Sequence, residues 1–389
     1  MTPRSCLPAF MIALATATLA VGETLPDPLL DSAGAPVASA ADWNNRRRGE
    51  LLELFTREVY GRAPLARPDG MTCTVTATTP GVMGGAATRK SVRLAWTGPG
   101  GAGGIDVVLF IPAVHAARVG CFLLICNRGR SNIDPTREQR SAFWPAEDII
   151  ARGYAAAAFQ VEDVAPDKDD GFRSGVFAAF DPPGRPRAPD AWGTIAAWSW
   201  GASRVLDYLV TDADLDPARL AVIGHSRGGK AALWCGANDL RVALTISNDS
   251  GSTGAAIARD RAAGAEDIHR INTTFPHWFC ANYKHWNGRE AELPIDQHEL
   301  IALCAPRLVC VASASADANA GPPAEFRACV AATPVWRLLG RAGLTATVMP
   351  GPGQAAQEGE LGYHQREGGH DLSAADWGRY LDFADRHLR

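Results

Sequence analysis

Ser226 has the surroundings that best fit covalent chemistry in this chain. It lies in the stretch VIGHSRGGKAALWCG (222–236), where Gly224, Ser226 and Gly228 satisfy G-x-S-x-G. An apolar run precedes the pattern and a helical one follows it, which predicts a nucleophile elbow, a sharp strand-to-helix turn that exposes the serine hydroxyl. Backbone N–H groups at the helix N-terminus could then receive an oxyanion. The alternative is a serine that only caps a helix.

A serine hydroxyl needs a base, and an imidazole base needs an acceptor at its other nitrogen. In enzymes whose serine lies on such a strand-to-helix elbow, the chain order is serine, acid, histidine. His370, in EGGHDL near the C-terminus, is the first candidate for the base and His364 the second. Asp249 and Asp317 each close a predicted strand. We expect the two aspartates to be partly redundant, with Asp317 slightly favoured.

Two cationic side chains follow the serine. Lys230 comes four residues after Ser226 and therefore shares its helix face, with a side chain that leans toward the helix N-terminus. Arg227 follows the serine directly and could place a guanidinium beside a developing oxyanion. The alternative is two solvated surface charges. The surrounding glycines and AALWCGA leave little polar helix face, which favours a cationic pocket for a substrate with hydroxyls or a carboxyl-derived group.

The elements that must position these residues follow from hydrophobic periodicity. An amphipathic helix is predicted over 44–61, and short strands with antiparallel character at 72–80, 91–98 and 105–113. Strands and helices then alternate: strands at 121–129, 154–163, 219–224, 242–249, 307–317 and 345–350, and helices at 137–153, 193–210 and 374–388. Residues 164–190 and 350–371 are predicted as loops after strands, at the sheet edge where ligands bind.

Each strand of the alternating part is a continuous apolar run, which is typical of a parallel sheet covered by helices on both faces. We therefore expect an α/β fold with a mostly parallel central sheet in a three-layer sandwich. No linker or internal repeat divides the chain, so residues 23–389 are predicted to form one catalytic domain.

Composition excludes several classes of protein. The 389 residues carry a net charge of −4 with scattered Lys and Arg, so no nucleic-acid partner is expected. Residues 1–22 have the layout of a cleaved signal peptide, which predicts a secreted or periplasmic protein. A membrane anchor is the weaker alternative because the apolar run is short and contains Pro8. After signal cleavage we expect a monomer without membrane contact.

Nine cysteines are present, of which Cys6 would leave with the signal. The other eight lie mostly in apolar runs, so buried free thiols are at least as well supported as disulfides. No C-x-x-C or H-E-x-x-H pattern occurs, so neither a metal nor another cofactor is expected. His277 and Cys280 are the remaining pair of conceivable metal ligands, and packing explains them better.

Five segments together resemble the bacterial branch of the glucuronoyl esterases, a family of carbohydrate esterases: GHSRGGKAALWCGA, SNDSG, INTTFPHWFCANY, LPIDQHELIALCAPR and YHQREGGHD. The similarity runs from about residue 40 to the C-terminus. It implies an α/β-hydrolase fold without metal. It also implies cleavage of the ester that joins 4-O-methyl-glucuronic acid of xylan to lignin alcohols.

The resemblance assigns catalytic roles by position. It implies Ser226 as nucleophile, His370 as base and Arg227 as an aid to the oxyanion. The family places its acid at the position of either Asp249 or Asp317, and this chain has a carboxylate at both.

Substrate contacts are implied in the same way. Lys230 and Glu266 match sugar-binding positions, and Trp278, in the third segment, is a candidate substrate-binding residue. The chain departs from the family at Asn319, where a tryptophan usually covers the sugar, and in NRGRSN (127–132), on the oxyanion side.

These observations predict an exported serine esterase acting on glucuronoxylan or lignin-carbohydrate esters. A broader carboxylesterase or acetyl esterase for plant cell-wall polysaccharide is the alternative if Asn319 opens the pocket. A catalytically silent carbohydrate-binding protein is a third possibility, against which the complete set of serine, aspartate and histidine argues.

Overall fold

The computed structural model describes residues 24–181, 184–260 and 264–388. The predicted signal peptide at 1–22 lies outside the described residues. Within them, no helix combines the length and the apolar character needed to cross a membrane.

Ten strands of the described chain form one sheet. They are β1 (Thr72–Val82), β2 (Ala87–Gly98), β3 (Gly101–Pro112), β4 (Val119–Cys126), β5 (Ala155–Gln160), β6 (Leu215–His225), β7 (Val242–Asn248), β8 (Leu308–Ala314), β9 (Ala355–Ala356) and β10 (Leu361–Arg366). Their order across the sheet is β1-β2-β3-β5-β4-β6-β7-β8-β10-β9. The six adjacent strands β5, β4, β6, β7, β8 and β10 pair in parallel with one another. Strands β1 to β3 and the short β9 pair antiparallel with their neighbours. The predicted antiparallel entry and parallel centre are confirmed.

The helices are α1 (Ala40–Asp42), α2 (Arg48–Phe55), α3 (Ala146–Ala151), α4 (Gly175–Phe180), α5 (Thr194–Leu209), α6 (Arg227–Asn238), α7 (Ile268–Thr274), α8 (Gln297–Ala302), α9 (Pro322–Leu338) and α10 (Ala374–His387). The π-helical turn Trp43–Arg47 joins α1 to α2, and a second one, Thr56–Tyr60, extends α2 to form the predicted N-terminal helical segment. Short 3-10 turns occur at Met83–Gly85, Arg130–Ile133, Val161–Asp163, Ala281–Trp286 and Glu290–Glu292.

Strand β4 shows how the three layers form. Its side chains alternate between the two faces of the sheet. Leu123 and Ile125 join the core packed under α5, α6 and α9. Phe122 and Leu124 join a second core, under α3 and α10. Because both faces are covered, the strand is apolar throughout, and the predicted three-layer α/β arrangement is confirmed.

The helix predicted over 137–153 is wrong for its first half. Only Ala146–Ala151 is helical. Pro145 disfavours helical backbone at the residue before it, and Arg137 has a φ of 62°. The helix therefore begins after the proline.

The last parallel strand is not where the sequence predicted it. Residues 345–350 form no strand, and Val348 is exposed. Strand β10 lies inside the predicted loop 350–371 and takes the place beside β8. Its polar side chains are buried with partners: the Tyr363 hydroxyl bonds Ser313 Oγ at 2.9 Å, and His364 bonds Asp376. Because these buried residues are polar, the strand lacks the hydrophobic pattern by which the other parallel strands were predicted.

The predicted loop 164–190 is also partly helical, because α4 buries Val176, Phe177 and Ala179. The loop does follow β5, at the predicted edge of the sheet.

All eight cysteines in the described chain are free thiols, and seven of them are buried. The cysteines of the apolar runs therefore serve as core side chains.

The packing of α6 on β7 gives a test of the fold. A Cβ at Gly236 would lie 2.1 Å from Thr245 Oγ1, whereas one at Gly49, within the N-terminal helical segment, would meet nothing within 4 Å. We expect Gly236→Ala to lower stability by about 1–3 kcal/mol through overpacking. Gly49→Ala should raise it by about 0.5–1 kcal/mol through helix propensity. Thermal unfolding of both variants checks this; a Gly236→Ala protein that unfolds at or above the wild-type temperature contradicts the packing.

Candidate active site

The turn between β6 and α6 carries Ser226. This residue has φ 56° and ψ −126°, a strained conformation for a side chain other than glycine. Its backbone N–H donates to the Asn248 carbonyl at 2.8 Å, which ties the turn to the end of β7. The geometry is that of the predicted nucleophile elbow, with the serine at the N-terminus of α6.

The first glycine of the motif is a steric requirement. A Cβ at Gly224 would lie 2.0 Å from the Gly228 carbonyl oxygen, because strand and helix backbones cross closely here. A Cβ at Gly228 would lie 3.1 Å from Asn127 Oδ1 and 3.2 Å from the Ile125 carbonyl oxygen. The spacing G-x-S-x-G therefore follows from the packing of α6 against β4 and β6.

His370 and Asp317 meet beside the elbow. His370 lies in the loop after β10, Asp317 follows β8, and Nδ1 of the imidazole is 2.5 Å from Asp317 Oδ2. The His370 side chain is 44% exposed and the Asp317 side chain 3%. Burial raises the pKa of Asp317, but the hydrogen bond and charge of His370 outweigh it and hold that pKa below its usual value. Asp317 is therefore an ionised acceptor that fixes the imidazole.

Asp249 is close to the same imidazole but differs in charge. One atom each of Asp249, Asp317 and His370 lie within 4.8 Å of one another. Asp249 Oδ1 accepts from the Ala314 N–H at 2.6 Å, and Oδ2 lies 3.6 Å from the Arg366 guanidinium. Burial, followed by the neighbouring carboxylates, raises the pKa of Asp249 to about 9. The Asp249 side chain is thus a neutral acid at pH 7.

His364, the second histidine candidate, is not in the pocket of the serine. It lies within β10, is buried, and bonds Asp376 Oδ1 through Nε2 at 3.1 Å. The loop that follows the last parallel strand carries His370 alone of these two histidines.

Arg227 is held by a carboxylate that the sequence analysis missed. Its Nη1 bonds Asp167, and its guanidinium lies 4.9 Å from the Trp278 ring centroid. Asp167 also accepts from Trp278 Nε1 at 2.8 Å and from His277 Nε2 at 3.0 Å. Although burial raises the pKa of Asp167, these bonds and the Arg227 charge bring it to about 2. Asp167 is one of several acids in DKDD, and nothing in the sequence distinguishes it.

Lys230 is buried under the pocket. Its ammonium donates to the carbonyls of Ser250 and Ser252, both at 2.5 Å, and lies 6.0 Å from the Trp278 ring centroid. An ammonium has three donors, so one remains for a ligand. Burial lowers the pKa of Lys230, against the opposing charge of Glu266.

Glu325, in α9, is a second residue that the sequence analysis missed. Its carboxyl accepts from the Gly251 N–H at 2.8 Å and the Ser250 hydroxyl at 3.2 Å, and also bonds Ser313. Burial raises its pKa to about 7. Glu325 therefore holds the loop whose carbonyls bind Lys230.

One cleft of about 180 Å³ brings the predicted residues together. It is lined by Ser226, Arg227, Lys230, Asp249, Ser250, Gly251, Glu266, Phe275, Trp278, Asn319, Ala320 and His370. Phe275 and Trp278 stack with centroids 3.8 Å apart and form an apolar wall. The Asn319 carbonyl accepts from the Glu266 N–H at 3.1 Å, so the two residues lie together. Asp317 stands behind His370.

The conceivable metal ligands His277 and Cys280 are not brought together. His277 bonds Asp167, whereas Cys280 Sγ faces the Arg57 carbonyl at 3.6 Å. In the described part of the chain, the one group of three possible ligands is Asp249, Asp317 and His370. Within this group, His370 Nδ1 is bonded to Asp317 Oδ2, and Asp249 Oδ1 accepts from the Ala314 N–H.

Comparison with known proteins identifies the family. The family model for fungal glucuronyl esterases matches residues 143–340. A carbohydrate esterase of an unknown prokaryotic organism is 40% identical over 94% of this chain and 90% of its own length. The chain belongs to the glucuronoyl esterase family. This esterase is therefore a carboxylic-ester hydrolase, as its family resemblance implied.

Solved structures of the family agree with the fold of this esterase. A glucuronoyl esterase from Solibacter usitatus superposes with a TM-score of 0.87 at 39% identity, over 94% of this chain and 98% of that one. A promiscuous CE15 esterase from a marine bacterial metagenome gives 0.84 at 40% identity, over 94% and 97%. The predicted α/β-hydrolase fold is confirmed.

The neutral state of Asp249 predicts a pH dependence of stability. Its pKa of about 9 in the folded esterase exceeds the value of about 3.9 in an unfolded chain, so folding retains a proton that unfolding releases. Its contribution to the free energy of unfolding therefore falls as pH rises between those values. Asp249→Asn should remove this loss. The free energy of unfolding of the variant, relative to that of wild type, should therefore increase as the pH rises from about 5 to about 8.

Denaturant unfolding at each pH checks this, with Asp216→Asn as the control. Although burial raises the pKa of Asp216, its hydrogen bonds from the Ala218 N–H and Arg219 Nε hold that pKa below its usual value, so its contribution is already complete at about pH 5 and the difference should stay flat. A flat difference for Asp249→Asn would show that this carboxyl is ionised throughout.

Proposed function

We propose that this enzyme hydrolyses esters of glucuronic acid through an acyl-enzyme on Ser226. The single observation that carries the proposal is the cleft in which the elbow serine and His370 face Lys230, Glu266 and Trp278. A nucleophile, its base and hydroxyl-binding side chains thus share one small space.

The chemistry follows the serine-hydrolase scheme. His370 Nε2 removes the proton of Ser226 Oγ, which attacks the ester carbonyl. The tetrahedral intermediate collapses with loss of the alcohol, which takes its proton from His370. Water then attacks the acyl-enzyme with the same base and releases the acid and free Ser226. Asp317 keeps the imidazole in the required tautomer and stabilises the imidazolium.

Arg227 and the N-terminus of α6 supply the oxyanion stabilisation in this scheme. Backbone N–H groups of the first turn have no partner within the helix. The ion pair with Asp167 and the stacking on Trp278 hold the Arg227 guanidinium beside the serine. A fixed cation at this place costs no reorganisation when negative charge develops.

The sugar contacts are proposed from the same cleft. Lys230 has a remaining donor, Glu266 supplies acceptors, and Trp278 offers an apolar face. A relative from Phanerochaete carnosa, 30% identical over 82% of this chain, is named 4-O-methyl-glucuronoyl methylesterase. We infer that the substrate is a 4-O-methyl-glucuronoyl ester joining xylan to lignin alcohols, and that the enzyme is exported to meet it.

Broader ester specificity is a second candidate. Asn319 lines the cleft with an exposed amide, at the position where the family resemblance leads us to expect a tryptophan. One similar structure is that of a promiscuous esterase. Rates on benzyl glucuronate and on an aryl acetate compare the two candidates: a kcat/KM that favours the acetate would overturn glucuronate specificity.

Replacing the nucleophile tests the mechanism. Ser226→Ala should lower kcat by at least about 1,000-fold, because only the attacking oxygen is lost and alanine fits the turn. An unchanged thermal unfolding temperature controls for the fold. Retention of a tenth of the wild-type kcat would show that Ser226 is not the nucleophile.

Lys230→Ala tests the proposed sugar contact. Loss of the Lys230 ammonium should raise KM for benzyl glucuronate by about 10- to 100-fold, which corresponds to the free energy of one hydrogen bond from a charged group. The KM for an aryl acetate should change much less. Lys284→Ala, at an exposed lysine that does not line the cleft, is the matched control and should leave the KM for both substrates unchanged. Equal losses on both substrates would assign Lys230 to the fold instead.

A further inference from the structure

Arg366 ends β10 four residues before His370, and its guanidinium bonds the intervening loop. Nε donates to Asp376 Oδ2 at 2.7 Å, which anchors the group on α10. Nη1 donates to the Glu367 carbonyl at 2.8 Å. Nη2 donates to the carbonyls of Gly369 at 2.7 Å and Asp371 at 3.0 Å. One side chain therefore gathers backbone acceptors on both sides of His370.

The same loop is bonded to the segment that carries Asp317. The Ser315 N–H donates to the Arg366 carbonyl and the Ala316 N–H to the Gly368 carbonyl, both at 2.8 Å. The Gly368 N–H donates back to Ser315 Oγ at 3.3 Å. These bonds place the loops of His370 and Asp317 side by side, so a shift of one loop changes the distance between the imidazole and its acceptor.

Two other contacts restrain the loop: Arg128 Nη1 lies 2.8 Å from Asp371 Oδ1, and the ring centroids of His225 and His370 are 4.5 Å apart. Gly368, at φ 107°, and Gly369 give its backbone wide conformational freedom. The His370 side chain is 44% exposed, so packing restrains it weakly. Arg366, in contrast, has a side chain that is only 12% exposed and is surrounded by acceptors.

We propose that Arg366 is a positioning residue, which acts through the backbone of residues 367–371 to hold His370 in register with Asp317 and Ser226. The inference rests on the proposed function, in which His370 is the base. Arg366 is not part of the cleft lining, and its side chain contacts that lining at the Asp249 carboxyl, 3.6 Å from the guanidinium. Arg366→Lys keeps a positive charge at this place, so a loss of kcat in that variant reports on the loop.

The guanidinium suits this task for a geometric reason. Its five N–H donors lie in one plane and point in fixed directions, so it can bond a carboxylate and three carbonyls at once. The ammonium of a lysine has three donors around one atom and cannot span the same acceptors. The positive charge has a separate role, because the carboxyl groups of Asp376 and Asp249 face the guanidinium, the latter with Oδ2 at 3.6 Å. Arg366→Lys keeps the charge and removes the planar geometry.

A second cleft gives access to Arg366 from solvent. It has a volume of about 450 Å³ and is lined by Arg366 together with Glu367, Ser373 and Arg379. An Arg366→Ala protein would therefore have a space that small cations can enter.

The experiment measures kcat and KM on benzyl glucuronate for Arg366→Lys and Arg366→Ala, with Ser226→Ala assayed in parallel. Arg379→Ala, whose guanidinium bonds the Gly353 carbonyl in the same cleft, is the matched control. Each rate is measured again with guanidinium chloride well below denaturing concentrations, and with methylammonium chloride at the same ionic strength.

We expect Arg366→Lys to lose about 10- to 100-fold in kcat, as a displaced catalytic group does, with KM within about twofold of wild type. Arg366→Ala should lose more, and guanidinium but not methylammonium should restore part of its kcat. Arg379→Ala should resemble wild type.

The outcomes separate the inference from the proposed function. If Ser226→Ala is inactive while Arg366→Lys keeps kcat within about twofold, or raises KM alone, Arg366 does not position the base. A soluble Arg366→Ala protein that guanidinium fails to activate also overturns the inference. If Arg366→Ala does not fold, Arg366→Lys decides. An active Ser226→Ala protein would instead refute the proposed function.

Discussion

The hydrogen bond of 2.5 Å between His370 and Asp317 is the contact on which the rest of the site depends. An imidazole can take a proton from the serine only in the tautomer that carries hydrogen on Nδ1, and an ionised acceptor at Nδ1 selects that tautomer. The sheet brings the pair together because β8 and β10 are parallel neighbours whose carboxyl ends meet at one edge. The elbow serine reaches the same edge from β6. The parallel order of the strands thus brings Ser226, Asp317 and His370, which are far apart in the sequence, to one edge of the sheet.

Charge balance around this edge explains why several buried ionisable groups coexist there. Lys230 rests on two carbonyls, Arg227 on Asp167, and Arg366 on three carbonyls and Asp376. Each cation is held in place by fixed acceptors, so its positive charge can stabilise a nearby negative charge without first moving. The acids differ in charge. Burial, followed by the neighbouring carboxylates, raises the pKa of Asp249 to about 9, whereas the hydrogen bond and charge of His370 outweigh burial and hold the pKa of Asp317 below its usual value. The two aspartates that the sequence could not separate therefore differ in protonation, which is a property of their surroundings in space.

Sequence patterns predicted the parts that depend on local rules. The glycines around Ser226 follow from close backbone approach, and the apolar runs of β4, β6, β7 and β8 follow from burial on both faces, so both were visible in the chain. Strand β10 was missed because it buries polar residues, among which Tyr363 and His364 have specific side-chain partners. Asp167, Glu325 and Arg366 were missed for a related reason: each acts on a residue that is adjacent only after folding, and a single carboxylate or guanidinium in a polar stretch carries no periodic signal. Residue types thus pointed to the proposed nucleophile, base and acid, whereas Asp167, Glu325 and Arg366 became evident only in the folded structure.

The most direct test of this account is the value of kcat for Asp317→Asn, Asp249→Asn and the double variant on benzyl glucuronate. The account predicts the larger single loss for Asp317→Asn, yet one below the ~10⁴-fold typical of a sole triad acid, because Asp249 lies within reach of the same imidazole. Asp249→Asn should lose little, and the double variant should lose more than the two single free-energy losses added together. If Asp249→Asn is as slow as the double variant while Asp317→Asn stays near wild type, the bond between His370 and Asp317 is not the one that the reaction uses.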